Sequence, residues 1–327
     1  MATDYLLFIH GVNTRYERQQ PDYANELSRL IKSSIDKSYE IKPIPLYWGY
    51  VNKESETRLL TNLKDTQGCW QQLWFQNFRE TTILQFVGDA ALYISRTVGS
   101  KVVESLNRQM RENGLDGEHS QDRLHLITHS WGTVILFDIL FAARWNDVNI
   151  PGYKSAMEIR QRFLGVEPNP NQGIKLASIH TMGSPIALYS LLDVVPGEDL
   201  AQGKPELTQM QASRTATHDI TPRLEKYLTD VGKKAQGKLP WRNYIHPADP
   251  VAFPLNPLMY SLVDGNKKYV DLQDIITKLN FFDRVMLPVS QTPISLLLGG
   301  QAHDSYLKSP EVAQEIVSTI KQSSVNV

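Results

Sequence analysis

Residues 124–141 read Leu124-His-Leu-Ile-Thr-His-Ser-Trp-Gly-Thr-Val-Ile-Leu-Phe-Asp-Ile-Leu-Phe141. Leu124 to Thr128 is an apolar run of strand length, and the stretch from Gly132 to about Trp145 is apolar over the length of a helix. Between them stand His129, Ser130 and Trp131. A serine on so abrupt a strand-to-helix turn is pushed out above the sheet edge, and small residues beside it let strand and helix approach. Gly132 meets that need, whereas Thr128 stands where a glycine is usual. The pentapeptide alone is weak, because a serine ahead of a helix also serves as an ordinary N-cap. What surrounds it has to decide.

Upstream, Tyr5-Leu-Leu-Phe-Ile9 is continuously apolar and stops at His10-Gly11, as a strand buried on both faces does. Leu27, Leu30, Ile31 and Ile35 then recur at helical spacing, and Ile41 to Trp48 predicts a strand despite Pro43 and Pro45, which completes a βαβ unit. From Glu54 to Asn113 the pattern is helical, with stripes at Trp70, Leu73, Trp74 and Phe78 and at Ile83, Val87, Ala91, Ile94 and Val98. This predicts a helical insertion over 50–120. Downstream, Ile174 to Met182 predicts a strand stopped by Gly183-Ser-Pro185, Trp241 to His246 a further one, Val285 to Val289 another, and Glu311 to Ile320 a closing helix. Pro247, Pro250, Pro254 and Pro257 together predict a rigid extended loop without helix. Residues 197–237 are polar and read as a second insertion. Strands alternating with helices predict an α/β fold with a mostly parallel sheet covered by helices on both faces.

Composition excludes several classes of function. Lys and Arg number 34 and Asp and Glu 35, a formal net charge of −1, so no electrostatic case exists for a nucleic-acid surface. Cys69 is the single cysteine, which rules out an intrachain disulfide and any multi-cysteine metal site and points to a reducing, cytoplasmic setting. Met1 to Asp4 carry no basic run, and no segment approaches eighteen apolar residues, so neither a secretory signal nor a membrane span is predicted.

A serine hydroxyl becomes a nucleophile only when a histidine takes its proton and a carboxylate orients that histidine. In the strand–turn–helix setting the chain order is serine, acid, histidine. Of eight histidines only His303 follows Asp249, and Asp249 lies just after the Trp241 strand, at the carboxyl end of the sheet where ligands bind. Asp249 also suits a plain turn in Ala248-Asp-Pro250. Asp193 is a rival acid and Asp264 a weaker one; Asp304, next to His303, is poorly placed to reach the far ring nitrogen. An oxyanion requires donors, for which the Trp131 backbone N–H at a helix start and the loop His10-Gly11-Val12-Asn13 qualify, with Val12 donating and Asn13 shaping the turn. His125 and His129 are spaced like metal ligands, but no acidic residue accompanies them, and neither metal nor cofactor is expected.

Phe8-Ile-His-Gly-Val12, Ile127-Thr-His-Ser-Trp-Gly132, Thr181-Met-Gly-Ser-Pro185, Trp241 to Val251 and Ala302-His-Asp-Ser-Tyr306 occur in this order. Together they resemble the α/β-hydrolase superfamily, and more closely its serine esterase and lipase-like members. The resemblance begins at what would be the third strand of the full fold, which implies a smaller sheet. It implies Ser130 as nucleophile, Asp249 as acid and His303 as base. It further implies an oxyanion hole at Val12 and Trp131, and substrate contacts from His10, Gly11, Asn13 and Ser184. The expected activity is hydrolysis of a carboxylic ester, the partner a small ester or lipid-like molecule. A serine peptidase or amidase, and a non-catalytic scaffold used for binding, are the alternatives. Trp70, Trp74, Phe75 and Phe78 would line an acyl pocket if 50–120 forms a cap, and otherwise pack as ordinary core. Because residues 130, 249 and 303 span most of the chain, one domain over 1–327 is expected.

Overall fold

Leu6 and Phe8 of the first strand bury against one helical layer and Leu7 and Ile9 against another, as the two-residue period of a strand requires. This is the central organisation of the computed structural model, which describes residues 2–11, 22–64, 69–76, 79–80, 88, 93–94, 96–115, 121–163, 172–189, 220–234, 237–278 and 302–325. The described elements are β1 (Thr3–Ile9), α1 (Asn25–Ser34), β2 (Glu40–Leu46), α2 (Lys53–Lys64), α3 (Arg96–Glu112), β3 (Arg123–His129), α4 (Trp131–Phe141), α5 (Tyr153–Gln161), β4 (Lys175–Met182), α6 (Thr221–Lys234), β5 (Leu239–Ile245), α7 (Asn256–Leu262), β6 (Val270–Ile276) and α8 (Pro310–Val325). Among the described residues the sheet has six strands in the order β2-β1-β3-β4-β5-β6. All neighbouring pairs are parallel, so the protein is an α/β fold.

Each face has its own core. Leu27 and Ile31 of α1 and Val312, Ala313, Ile316 and Ile320 of α8 cover Leu6, Phe8 and Ile127. On the other face α3, α4 and α5 cover Leu7, Ile9, Leu126, Ile179 and Trp241. Each such side chain contributes about 1.5–3 kcal/mol on burial. Every residue of α4 is buried, the state expected of a helix that is apolar all round. Pro43 and Pro45 are tolerated because β2 is an edge strand, and their spacing of two turns both missing N–H donors to the same, open side.

Several sequence expectations need correction. Helix α7 lies in the proline-rich stretch predicted to exclude helix; Pro257 occupies its first turn, where the missing N–H has no intrahelical partner to lose. Strand β6 was not predicted, because Asp271, Gln273 and Asp274 interrupt its apolar residues and only Val270 and Leu272 are buried. The 197–237 stretch read as a polar insertion holds helix α6, which does not conflict with that reading. Trp74 is 81% exposed and Phe75 74% exposed, so neither packs in the core. The strand expected at Val285 to Val289 lies outside the described residues, as do Val12, Asn13, Phe78 and Asp193.

Candidate active site

The turn between β3 and α4 is strained. Ser130 has φ 54 and ψ −132, a region costly for any side chain with a Cβ. It is held from both sides: its N–H donates to the Met182 carbonyl at 2.9 Å, and its own carbonyl accepts the Thr133 N–H at 3.1 Å. The Ser130 hydroxyl makes no capping bond to α4, which answers the N-cap alternative. Thr128, where a glycine was expected, is fully buried, and its hydroxyl accepts from Thr133 Oγ1 at 2.8 Å. Gly132 has no room for a side chain: a β-carbon there would lie 2.8 Å from the Ile9 carbonyl oxygen and closer still to that of His10. Helix α4 therefore starts in backbone contact with the end of β1.

That contact brings the His10-Gly11 segment over the serine. A β-carbon on Gly11 would overlap the Ser130 side chain, lying 2.9 Å from its Oγ. His10 is buried and stacks on Trp48 with ring centroids 5.4 Å apart. Its Nε2 accepts the Trp48 N–H at 3.2 Å, so the proton resides on Nδ1, which donates to the Gly11 carbonyl. Rather than facing a ligand with a free nitrogen, His10 uses this one to hold the Gly11 peptide.

His303 and Asp249 are brought together. His303 Nδ1 lies 2.9 Å from Asp249 Oδ2. Burial pushes the Asp249 carboxyl up, but the bonds and charge of His303, the Val251 N–H and the Tyr306 hydroxyl outweigh it and leave the group below the usual aspartate range. An ionised Asp249 accepts, so Nδ1 carries the ring proton and Nε2 the free lone pair. His303 Nε2 and Ser130 Oγ are both buried, and neither has a hydrogen-bond partner among the described residues. No hydrogen bond joins the two among the described residues. The His303 ring packs on that of His129, the residue before Ser130, at 4.6 Å, and His129 Nε2 donates to the His303 carbonyl at 2.7 Å. Burial, helped by the proximity of His303, holds His129 neutral with its pKa at about 3.

The other candidates separate clearly. Asp264 accepts the backbone N–H groups of residues 268, 269 and 270, at the beginning of β6 rather than at the carboxyl end where the site lies. Asp304 is exposed. Ser184 is buried and its Oγ accepts the Ile186 N–H at 3.2 Å, so it caps the short turn after β4. Among the described residues no group of three His, Cys, Asp or Glu side chains is arranged to hold a metal, and His125 bonds instead to Asp4 and Ser178. Sequence reasoning passed over Tyr306, whose hydroxyl reaches Asp249 Oδ2 at 2.8 Å.

Fold and site together define an α/β protein with an all-parallel six-stranded sheet, a strained serine between β3 and α4, and a histidine–aspartate pair beyond the carboxyl ends of the strands. No family model and no curated protein matches the chain. A solved structure titled "Crystal structure of ClbQ from the colibactin NRPS/PKS pathway" is similar over 99% of both chains at a TM-score of 0.37 and 10% identity. No helix among the described residues is long and apolar enough to cross a membrane.

Proposed function

We propose that the chain is a serine hydrolase of the α/β-hydrolase type that cleaves a carboxylic ester, esterase or lipase-like, through an acyl-enzyme. The observation that carries the reading is the 2.9 Å contact between His303 Nδ1 and Asp249 Oδ2 next to a strained serine whose hydroxyl has no partner among the described residues. Ser130 Oγ attacks the carbonyl carbon and passes its proton to His303 Nε2. The tetrahedral intermediate collapses, and the imidazolium returns that proton to the departing alkoxide. Water repeats the sequence and releases the acid. Asp249 holds the ring in the required tautomer. The Trp131 N–H, at the positive end of α4, donates to the oxyanion, and Val12 is proposed as the second donor, its loop supported by Asn13.

A chain of near-neutral charge suits a neutral, small ester or lipid-like substrate. One domain over 1–327 follows from a site that draws on residues 130, 249 and 303, with 50–120 and 197–237 inserted in it. The lone cysteine fits a cytoplasmic setting. Labelling with a fluorophosphonate tests the reading: wild type should label and Ser130→Ala should not. No labelling of wild type would favour a binding scaffold, and equal turnover of peptide and ester substrates would favour a peptidase. Asp249→Asn should lower kcat by about 10⁴-fold, while Asp264→Asn, distant from the site, should leave kcat of any folded protein unchanged.

A further inference from the structure

Ala302 to Lys308 is helical, and a spacing of three residues puts His303 and Tyr306 on the same side of that turn. Both reach the same carboxylate oxygen: His303 Nδ1 lies 2.9 Å and the Tyr306 hydroxyl 2.8 Å from Asp249 Oδ2. The direction of the phenol's proton is fixed, because its oxygen accepts the His246 N–H at 2.7 Å and therefore donates to Asp249. The other oxygen, Oδ1, accepts the Val251 N–H at 3.0 Å. Tyr306 is fully buried, and burial, with the Asp249 charge beside it, pushes its hydroxyl far above the usual tyrosine range. It remains a neutral donor throughout any working pH.

We propose that Tyr306 is a positioning residue of the active site: by donating to the oxygen that holds His303, it fixes the rotation of the Asp249 carboxylate and sets how strongly that charge pulls on the imidazole. This rests on the proposed roles of Asp249 and His303. A carboxylate with three donors holds its plane, and one that shares its charge with a phenol attracts an imidazolium less. The other titratable groups near the ring are His129 at the end of β3 and Asp304 on its own turn; neither bonds Asp249 Oδ2. Removing the phenol hydroxyl leaves more charge for the ring, so the protonated imidazole persists to higher pH.

The test compares wild type, Tyr306→Phe, and protein carrying a ring-fluorinated tyrosine, a stronger donor, at 306. Hydrolysis of a p-nitrophenyl ester is followed against pH, and the His303 ring titration is followed by NMR. Tyr306→Phe should lower kcat about tenfold with KM within about twofold and move the acid limb and the ring titration upward by roughly half a pH unit. The fluorinated residue should move both downward. A purely structural role would change thermal stability and leave both unmoved, and that result overturns the proposal. Should Tyr306→Phe not fold, the fluorinated protein decides alone. If wild type proves catalytically silent while the ring titration still moves as expected, the hydrolase reading falls and what stands is the coupling of Tyr306 to the His303 ring through Asp249.

Discussion

Gly11 lies directly over Ser130, so close that a β-carbon added to the glycine would overlap the serine side chain. The glycine comes from the end of β1 and the serine from the end of β3, and the two strands are parallel neighbours with Ile9 opposite Thr128. The parallel register thus carries Gly11, just past β1, to Ser130. Gly11→Ala should displace one or the other by about an ångström. A misplacement of that order costs about 100-fold in rate, so fluorophosphonate labelling should slow by that factor in a protein with wild-type circular dichroism. Labelling at the wild-type rate would show that the loop does not serve the serine.

The strain at Ser130 gives a second prediction. Ser130→Gly accepts φ 54 without steric cost and removes a buried hydroxyl that has no partner among the described residues. Relief of strain is worth about 1–3 kcal/mol, and the entropy of the added glycine returns about 0.5–1 kcal/mol of it. Net stability in urea should therefore rise by about 1 kcal/mol while labelling disappears. A loss of stability would mean that the turn is not strained.

Gly132 offers the opposite sign. In an exposed helix a glycine-to-alanine change gains about 1 kcal/mol from helix propensity. Here the new methyl group would meet the backbone carbonyls of Ile9 and His10, and backbone yields less readily than a side chain. Overpacking of this kind costs about 1–3 kcal/mol and more where nothing can give, so Gly132→Ala should be destabilising in urea titrations.

Much of this was legible in the sequence where burial is complete. β1 and β3 are apolar runs bounded by His10-Gly11 and by the serine turn, and α4 is apolar on every side; such segments read themselves. His303 follows from chain order, since it is the one histidine after Asp249, while Asp249 is favoured by its place after the Trp241 strand, with Asp193 and Asp264 still open. What escaped has physical reasons. β6 is the last strand of the sheet among the described residues and is half open to water, so its apolar period is broken by Asp271 and Gln273. α7 begins with a proline that is a helix breaker anywhere but in the first turn. Tyr306 carries its signal in a spacing of three from His303, which has meaning only once the turn joining them is known to be helical.

The last prediction concerns acid. A chain of buried polar groups runs across the α1 and α8 face of the sheet. Asp4 pairs with Arg123 at 2.6 Å and with His125 at 3.0 Å. His125 bonds to Ser178, Ser178 to His180, and His180 to Tyr244 and Thr319. Burial holds His125 below the ordinary histidine range and His180 well below it, and His129, next to Ser130, is lowered to about 3. In the unfolded chain all three take up protons as pH falls through about 6.5, whereas the folded protein resists. The unfolded state then binds more protons, so stability falls as pH falls from about 6.5 toward the folded-state values, by up to about 4 kcal/mol per pH unit for three histidines. Asp4 acts lower down. Burial raises its carboxyl, the bonds from His125 and Arg123 outweigh that and lower it on balance, and its contribution is lost only below about pH 4. Urea unfolding should therefore weaken steeply between pH 6.5 and pH 5, above the range in which Asp4 acts. In His180→Gln the slope in that window should be shallower by about one third. An unchanged slope would mean that His180 takes up its proton in the folded state, contrary to its burial.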